Sequence, residues 1–224
     1  MRVTAPQCIA KRMIERLLPP EVSAVAMRGD DPGLRPFPEE EALLGAAVAS
    51  RRAEFTTARH CARQALRALG VPEGPILRGP KREPLWPTGI IGSITHCTGY
   101  RAAAVARTTE VLTIGIDAEP HAAIPDRVEL RILDDAERAW IASAPSGIHW
   151  DRLIFSAKES VYKAWYPLAQ TWLGFEDARI AIDPVAGAFH ATLLIDPPPG
   201  VPPGFDGRYL VEDGLVVTAI AVMR

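Results

Sequence analysis

The chain has 224 residues, 48% of them hydrophobic and 23% charged, enough to bury a substantial core as one domain or two small ones. Its net charge of -2 combines sixteen Lys and Arg against ten Asp and Glu up to Arg107 with nine against seventeen from Glu110 onward; that division suits an anionic ligand held against a metal site, and not a duplex nucleic-acid binder. A mean hydropathy of +0.04 without an eighteen-residue apolar run excludes a transmembrane helix, and three cysteines, Cys8, Cys61 and Cys97, with no C-x-x-C spacing point to a reducing cytoplasm rather than a disulfide or zinc framework.

Residues 1–6 lead into a charged segment with no apolar signal-peptide core. Ile9, Met13, Ile14, Leu17 and Leu18 then recur at helical spacing and predict a helix over 5–18, ended by Pro19 and Pro20. Residues 23–27 read as a short strand. Asp30-Asp31-Pro32-Gly33 has turn chemistry and makes 29–38 a loop, after which Glu39, Glu40 and Glu41 put acids in the first turn of a helix, where they complement its dipole. From Ser50 to Leu69 the residues Phe55, Ala58, Ala62, Ala65, Leu66 and Leu69 form one helical stripe, stopped by Gly70 and Pro72. Arg51, Arg52, Arg59 and Arg63 occupy its other faces. Residues 72–87 form a Pro- and Gly-rich loop whose Arg78, Lys81 and Arg82 could close over an anion. Strands follow at Ile90-Ile91, Ser93 to His96 and Tyr100 to Arg107, and the polar break Thr108-Thr109-Glu110 divides a basic subdomain, 1–109, from an acidic one, 110–224.

The second subdomain opens on Thr113-Ile114-Gly115-Ile116-Asp117-Ala118-Glu119, whose period-two pattern predicts a strand with both carboxylates on one side of its exit. Asp134 is placed to cap a helix that carries Ala136, Trp140 and Ile141 inward. A further helix spans Ser156 to Tyr166, ended by Pro167, and sets Glu159 and Lys163 one turn apart. Strands are predicted over 179–183, 189–195 and 209–223, the last folded at an Asp213-Gly214 hairpin turn, with Gly204 and the run Pro197 to Pro199 in a loop.

An Asp-x-Glu at a strand end is also what a solvated turn shows, and an i,i+4 Glu-Lys pair is an ordinary surface support worth about 0.2–0.5 kcal/mol. The joint pattern says more, because Asp117, Glu119 and Glu159 lie beside Ile114, Ile116, Val161 and Trp165, where bare carboxylates are costly to hold. Three carboxylates make an all-oxygen site that suits Mg2+ or Mn2+ and offers nothing for zinc. His96, alone at a strand end, reads first as a structural histidine. No G-x-x-x-x-G-K-[ST] loop supports an ATPase.

Gly115-Ile116-Asp117-Ala118-Glu119, followed some forty residues later by Phe155-Ser156-Ala157-Lys158-Glu159-Ser160-Val161-Tyr162-Lys163, resembles the signature of the 4'-phosphopantetheinyl transferase superfamily. The blocks around Arg51-Arg52, Arg59-His60, Ser93 to His96, Trp150-Asp151-Arg152 and Trp172 to Ala178 resemble the larger, carrier-protein-activating type of actinobacteria, and the likeness covers residues 37 to 220. The resemblance implies an α+β fold of two similar halves about a pseudo-twofold axis, with the cleft between them in one monomeric chain. It implies transfer of 4'-phosphopantetheine from coenzyme A to a serine of an apo acyl or peptidyl carrier protein, releasing adenosine 3',5'-bisphosphate. It further implies Asp117, Glu119 and Glu159 as ligands of Mg2+, with Mn2+ possible in its place. The first half's Arg51, Arg59, Arg78 and Lys81, with Ser93, Thr95 and His96, are implied to hold the coenzyme A phosphates; Lys163 meets the same phosphates, with Lys158 a weaker candidate. Glu159 is the choice of general base. A metal-dependent phosphohydrolase using the same acids on water, and a non-catalytic carrier binder, are the competing readings.

Overall fold

Alanine sets the spacing of the first half. The computed structural model describes residues 13–224; the amino-terminal part of the expected 5–18 helix therefore lies outside the described residues, and the first element within them is a 3-10 turn, Ile14–Arg16. In chain order the first half then runs β1 (Ser23–Arg28), α1 (Pro38–Ala42), α2 (Ala49–Ala68), a small hairpin of β2 (Leu77–Arg78) and β3 (Pro84–Leu85), β4 (Ile90–Cys97) and β5 (Tyr100–Arg107). Strand β5 is central in the antiparallel order β1-β5-β4. Its Ala103 and Val105 pack on Cys61, Ala62, Ala65 and Leu66 of α2, while Ala102, Ala104 and Ala106 pack on Met13, Ile14 and Ile114 on the other side. With both faces covered, the strand reads as a continuous apolar run without alternation.

Glu39, Glu40 and Glu41 lie in the first turn of α1, as the sequence predicts, and Glu40 is in addition fully buried: its carboxylate accepts from Arg63 Nη1 at 2.8 and 3.0 Å, from the Ile76 amide at 2.9 Å and from the Phe37 amide at 3.0 Å. That cluster ties α1, α2 and the segment entering β2 together.

The second half runs β6 (Val111–Pro120), α3 (Asp126–Ile132), α4 (Asp135–Ser143), α5 (Trp150–Ala169), β7 (Ala178–Asp183), β8 (Ala188–Leu193), β9 (Gly204–Glu212) and β10 (Leu215–Met223), with an antiparallel sheet ordered β6-β10-β9-β8-β7. Gly204 thus begins a strand and is not in a loop. The β9–β10 hairpin turns at Asp213 and Gly214, whose φ angles of 50° and 72° are those of a two-residue turn matched to strand twist. Asp134 caps α4 by accepting from the Glu137 amide, as the sequence predicts, but Ala136 is exposed and it is Glu137 that turns inward. Helix α5 is longer than 156–166. Pro167 lies inside its last turn, and Gln170 in the left-handed region closes the helix, its Nε2 donating to the carbonyls of Tyr166 and Pro167.

Each half is thus an antiparallel sheet with a 20-residue helix against it, α2 on the first and α5 on the second, an α+β architecture. The halves meet where β4 runs parallel beside β6. The two strands belong to separate sheets, and across the seam the Ile116 and Ala118 amides donate to the hydroxyls of Ser93 (3.2 Å) and Thr95 (3.1 Å). No helix among the described residues is long and apolar enough to cross a membrane.

Candidate active site

On β6 the residues facing α5 are Thr113, Gly115, Asp117 and Glu119, which is the period-two face the sequence predicts. Gly115 lets the helix come close: a Cβ there would stand 1.9 Å from the Ser160 carbonyl. Thr113 donates to the Ala164 carbonyl at 2.7 Å and fixes the register. The close approach brings α5 side chains onto Asp117. Its Oδ1 accepts from Lys163 Nζ at 2.7 Å and Thr95 Oγ1 at 3.2 Å, and its Oδ2 accepts from Ser156 Oγ at 2.8 Å. Ser156, Ser160 and Thr218, which pairs with Asp117 from β10, form a buried hydroxyl chain beneath.

Lys163 does not make the one-turn pair with Glu159; its ammonium goes to Asp117 and to the Ile116 carbonyl at 3.0 Å. Glu159 makes no hydrogen bond or ion pair among the described residues, and burial pushes its carboxyl above the usual range, with Lys163 opposing and Asp117 adding. It lines two cavities at once. One, of about 480 Å³, is bounded by Lys81, Trp86, Ser93, Tyr162 and Lys163; the other, of about 180 Å³, by Tyr162, Trp172, Leu173 and Phe175. Glu119 accepts from Arg152 Nη1 at 3.0 Å. Burial and then Asp117 push it up to about 7 against the pull of Arg152 and Lys163.

These oxygens fit a hard divalent cation in kind. Asp117 on the same strand face adds to the cost of ionising Glu119, the electrostatic situation a cation relieves, and every donor is oxygen. They are not drawn to one point: among the described residues no three His, Cys, Asp or Glu side chains are placed to hold an ion. Asp117 is held by Lys163, Thr95 and Ser156, and Glu119 by Arg152.

The basic residues divide. Arg51 Nη1 stands 2.7 Å from His96 Nε2, and burial followed by Arg51 holds the His96 ring below its usual pKa, so Nε2 accepts. Lys81 is exposed on the loop joining β2 and β3, at the rim of the larger cavity. Arg59, by contrast, is buried: its guanidinium lies 3.4 Å over the Phe55 ring, Nε donates to the Ile76 carbonyl at 2.9 Å, and burial lowers its pKa to about 10. Arg78 flanks the same ring at 5.8 Å and donates to the Leu43 carbonyl at 2.6 Å. Thr95 is consumed by the Ala118 amide and Asp117, whereas Ser93 both bridges to Ile116 and lines the cavity.

Lys158 departs most from expectation. It is 3% exposed and gives its three ammonium protons to the Ile132 carbonyl (2.7 Å), Glu137 Oε2 (2.9 Å) and the Phe175 carbonyl (2.9 Å), leaving none for a phosphate. Glu137 also accepts from the Asp134 and Ile180 amides. The sequence signal for this pair was the acid three residues after the capping Asp134, which marks a capping box; its burial had no local signal.

Residues 39–106 match the family described as the 4'-phosphopantetheinyl transferase N-terminal domain, and residues 113–199 match the 4'-phosphopantetheinyl transferase superfamily. The chain is 49% identical over 210 residues to 4'-phosphopantetheinyl transferase PptT of Mycobacterium tuberculosis, covering 90% of this chain and 92% of that one. It is 51% identical over 200 residues to 4'-phosphopantetheinyl transferase Svp of Streptomyces mobaraensis (86% and 81%), and 46% identical over 220 residues to 4'-phosphopantetheinyl transferase Npt of Nocardia iowensis (93% and 99%).

Proposed function

The chain belongs to the 4'-phosphopantetheinyl transferase superfamily, and on that premise we propose that Glu159 is its general base, with Asp117, Glu119 and Glu159 the ligands of Mg2+ or Mn2+. The enzyme transfers 4'-phosphopantetheine from coenzyme A to a serine of apo acyl or peptidyl carrier proteins and releases adenosine 3',5'-bisphosphate. The observation that supports the assignment is Glu159 itself, half-buried, without a hydrogen-bond partner among the described residues, at the junction of two cavities beside Lys163 and Asp117.

Residues 1–109 supply the coenzyme A phosphate contacts through Arg51, Lys81, Ser93 and His96, and residues 110–224 supply the acids. Lys163, a quarter exposed and already at the cavity wall, turns its remaining proton to a phosphate oxygen. Arg59 and Arg78 act on the phosphates through the field of the basic half and the shape of the Phe55 bracket. Glu159 takes the proton of the entering serine hydroxyl, directly or through one water, as the oxygen attacks the phosphorus next to pantetheine. A bound divalent cation supplies charge neutralisation at the pyrophosphate and at the leaving oxygen. The same reading includes a monomer, since basic and acidic walls come from one chain; light scattering that returned an obligate oligomer would remove that part. It also includes a cytoplasmic setting, which suits the free thiols of Cys61 and Cys97; secretion of the tagged chain in a fractionation experiment would oppose it.

The test is kinetic. E159Q keeps the fold and lowers carrier modification about a hundredfold or more, a loss of the size general bases give. D117N recovers part of its rate at raised Mg2+ or with Mn2+, and E159Q does not, since added metal replaces no proton acceptor. A near-wild-type rate for E159Q, or its full rescue by metal, assigns the proton elsewhere.

A further inference from the structure

Immediately after Glu119 the chain leaves β6 through His121, Ala122, Ala123 and Ile124, and each hydrogen bond that secures this stretch to α5 lands in the first turn of that helix or at its cap. The His149 amide donates to His121 Nε2 at 2.9 Å, and the Ile124 amide donates to Asp151 Oδ2 at 2.6 Å. Arg152 makes the rest. Its Nε donates to the Ala122 carbonyl at 3.0 Å, its Nη2 to the Ala123 carbonyl at 3.1 Å and its Nη1 to Glu119 Oε2 at 3.0 Å. The guanidinium also stands 5.8 Å over the Phe155 ring, and the side chain is 17% exposed. The three bonds leave from three different nitrogens of one rigid planar fork, Nε, Nη1 and Nη2, a spread that the single compact ammonium of a lysine does not reproduce.

We propose that Arg152 is a positioning residue of the transferase: it holds the Glu119 carboxylate beside Asp117 and locks the exit of β6 to the start of α5. The strand that carries Asp117 and Glu119 and the helix that carries Glu159 then present one surface to a divalent cation. This rests on the assignment of those three acids to the cation. Arg152 itself touches neither the cation nor the substrate; it acts through Glu119 and the two carbonyls.

The sign of one measurement separates positioning from charge. A positive group a few ångströms from a cation site repels the cation, so on charge alone the loss of Arg152 tightens metal binding. Positioning predicts the reverse. Mn2+ binding to the full-length enzyme, with coenzyme A present and no carrier, is read from the paramagnetic resonance of free Mn2+ for wild type, R152A, R152K, D151A, D117N and E119Q. Loss of an outer residue that orients a metal ligand typically weakens affinity by about 10-fold to 100-fold, and R152A is expected in that range. R152K keeps the charge without the fork and falls with R152A. D151A cuts the same loop from the same helical turn but leaves Glu119 braced, so it keeps the wild-type affinity. Mn2+ binding in R152A as tight as wild type or tighter, while D117N and E119Q are weakened, overturns the positioning role alone, as does an equal loss in D151A. Unchanged binding in D117N and E119Q overturns the metal assignment, and this inference with it.

Discussion

Lys158 gives its three ammonium protons to Ile132, Glu137 and Phe175, whereas Glu159 beside it makes no hydrogen bond among the described residues. Adjacent side chains on a helix point about 100° apart, so one enters the packed side of α5 and the other the cavities. The consequences of mutation divide the same way. Lys158→Met strands the Glu137 carboxylate, 1% exposed, without its cation, and breaking a buried pair from one side costs about 3–5 kcal/mol. A urea midpoint lowered accordingly, with unchanged coenzyme A affinity in the protein that remains folded, is the expected outcome; intact stability with weakened coenzyme A binding would return Lys158 to the phosphates. Arg51 and Arg59 divide likewise. The Arg51 side chain is 42% exposed and keeps donors for a ligand, and the Arg59 side chain is 7% exposed over Phe55. By titration calorimetry R51A should weaken coenzyme A binding in a way that fades as salt rises, because screening already removes its contribution there. An R51A affinity equal to wild type at low salt would take Arg51 out of the site.

At the scale of elements, the packing of α5 on β6 decides whether the residues above can meet. Gly115 is the point of closest approach, and any side chain there meets the Ser160 carbonyl and the Ala164 amide. Gly115→Ala should cost about 1–3 kcal/mol as overpacking does, and because the helix must move to relieve it, turnover should fall further than thermal stability explains. Wild-type kinetics in that variant would show that the register of α5 over Asp117 is not critical. The strand itself was legible, since alternation, Gly115 and the Asp-x-Glu exit are local features, and so were the α2 stripe and the Asp213-Gly214 turn. The ends of α5 were not: Pro167 reads as a stop, yet the helix runs on to Ala169, where Gln170 closes it with its side chain folded back on two carbonyls. The pairs Glu40–Arg63 and Glu137–Lys158 join residues more than twenty positions apart and leave no periodic trace. The same holds for the Thr95 hydroxyl, whose engagement with Asp117 depends on β4 lying beside β6.

Across the whole molecule, the +6 and -8 halves of the sequence become two walls. The start of α2, the β2–β3 hairpin and β4 bring Arg51, Lys81 and His96 toward the seam, and β6 and α5 bring Asp117, Glu119, Glu159 and Lys163 to it from the other side. A seam bridged by Ser93 and Thr95 hydroxyls leaves one half free to carry cations and the other carboxylates, with the Lys163 ammonium held on Asp117. The most direct measurement is mass spectrometry of an apo carrier protein incubated with coenzyme A and Mg2+, run with wild type and with E159Q. The expected result is a carrier bearing 4'-phosphopantetheine on its serine, with adenosine 3',5'-bisphosphate released in equal amount, and neither product at a comparable rate with E159Q. Release of adenosine 3',5'-bisphosphate with free pantetheine phosphate and an unmodified carrier would instead mean that water is the acceptor, and would contradict the account.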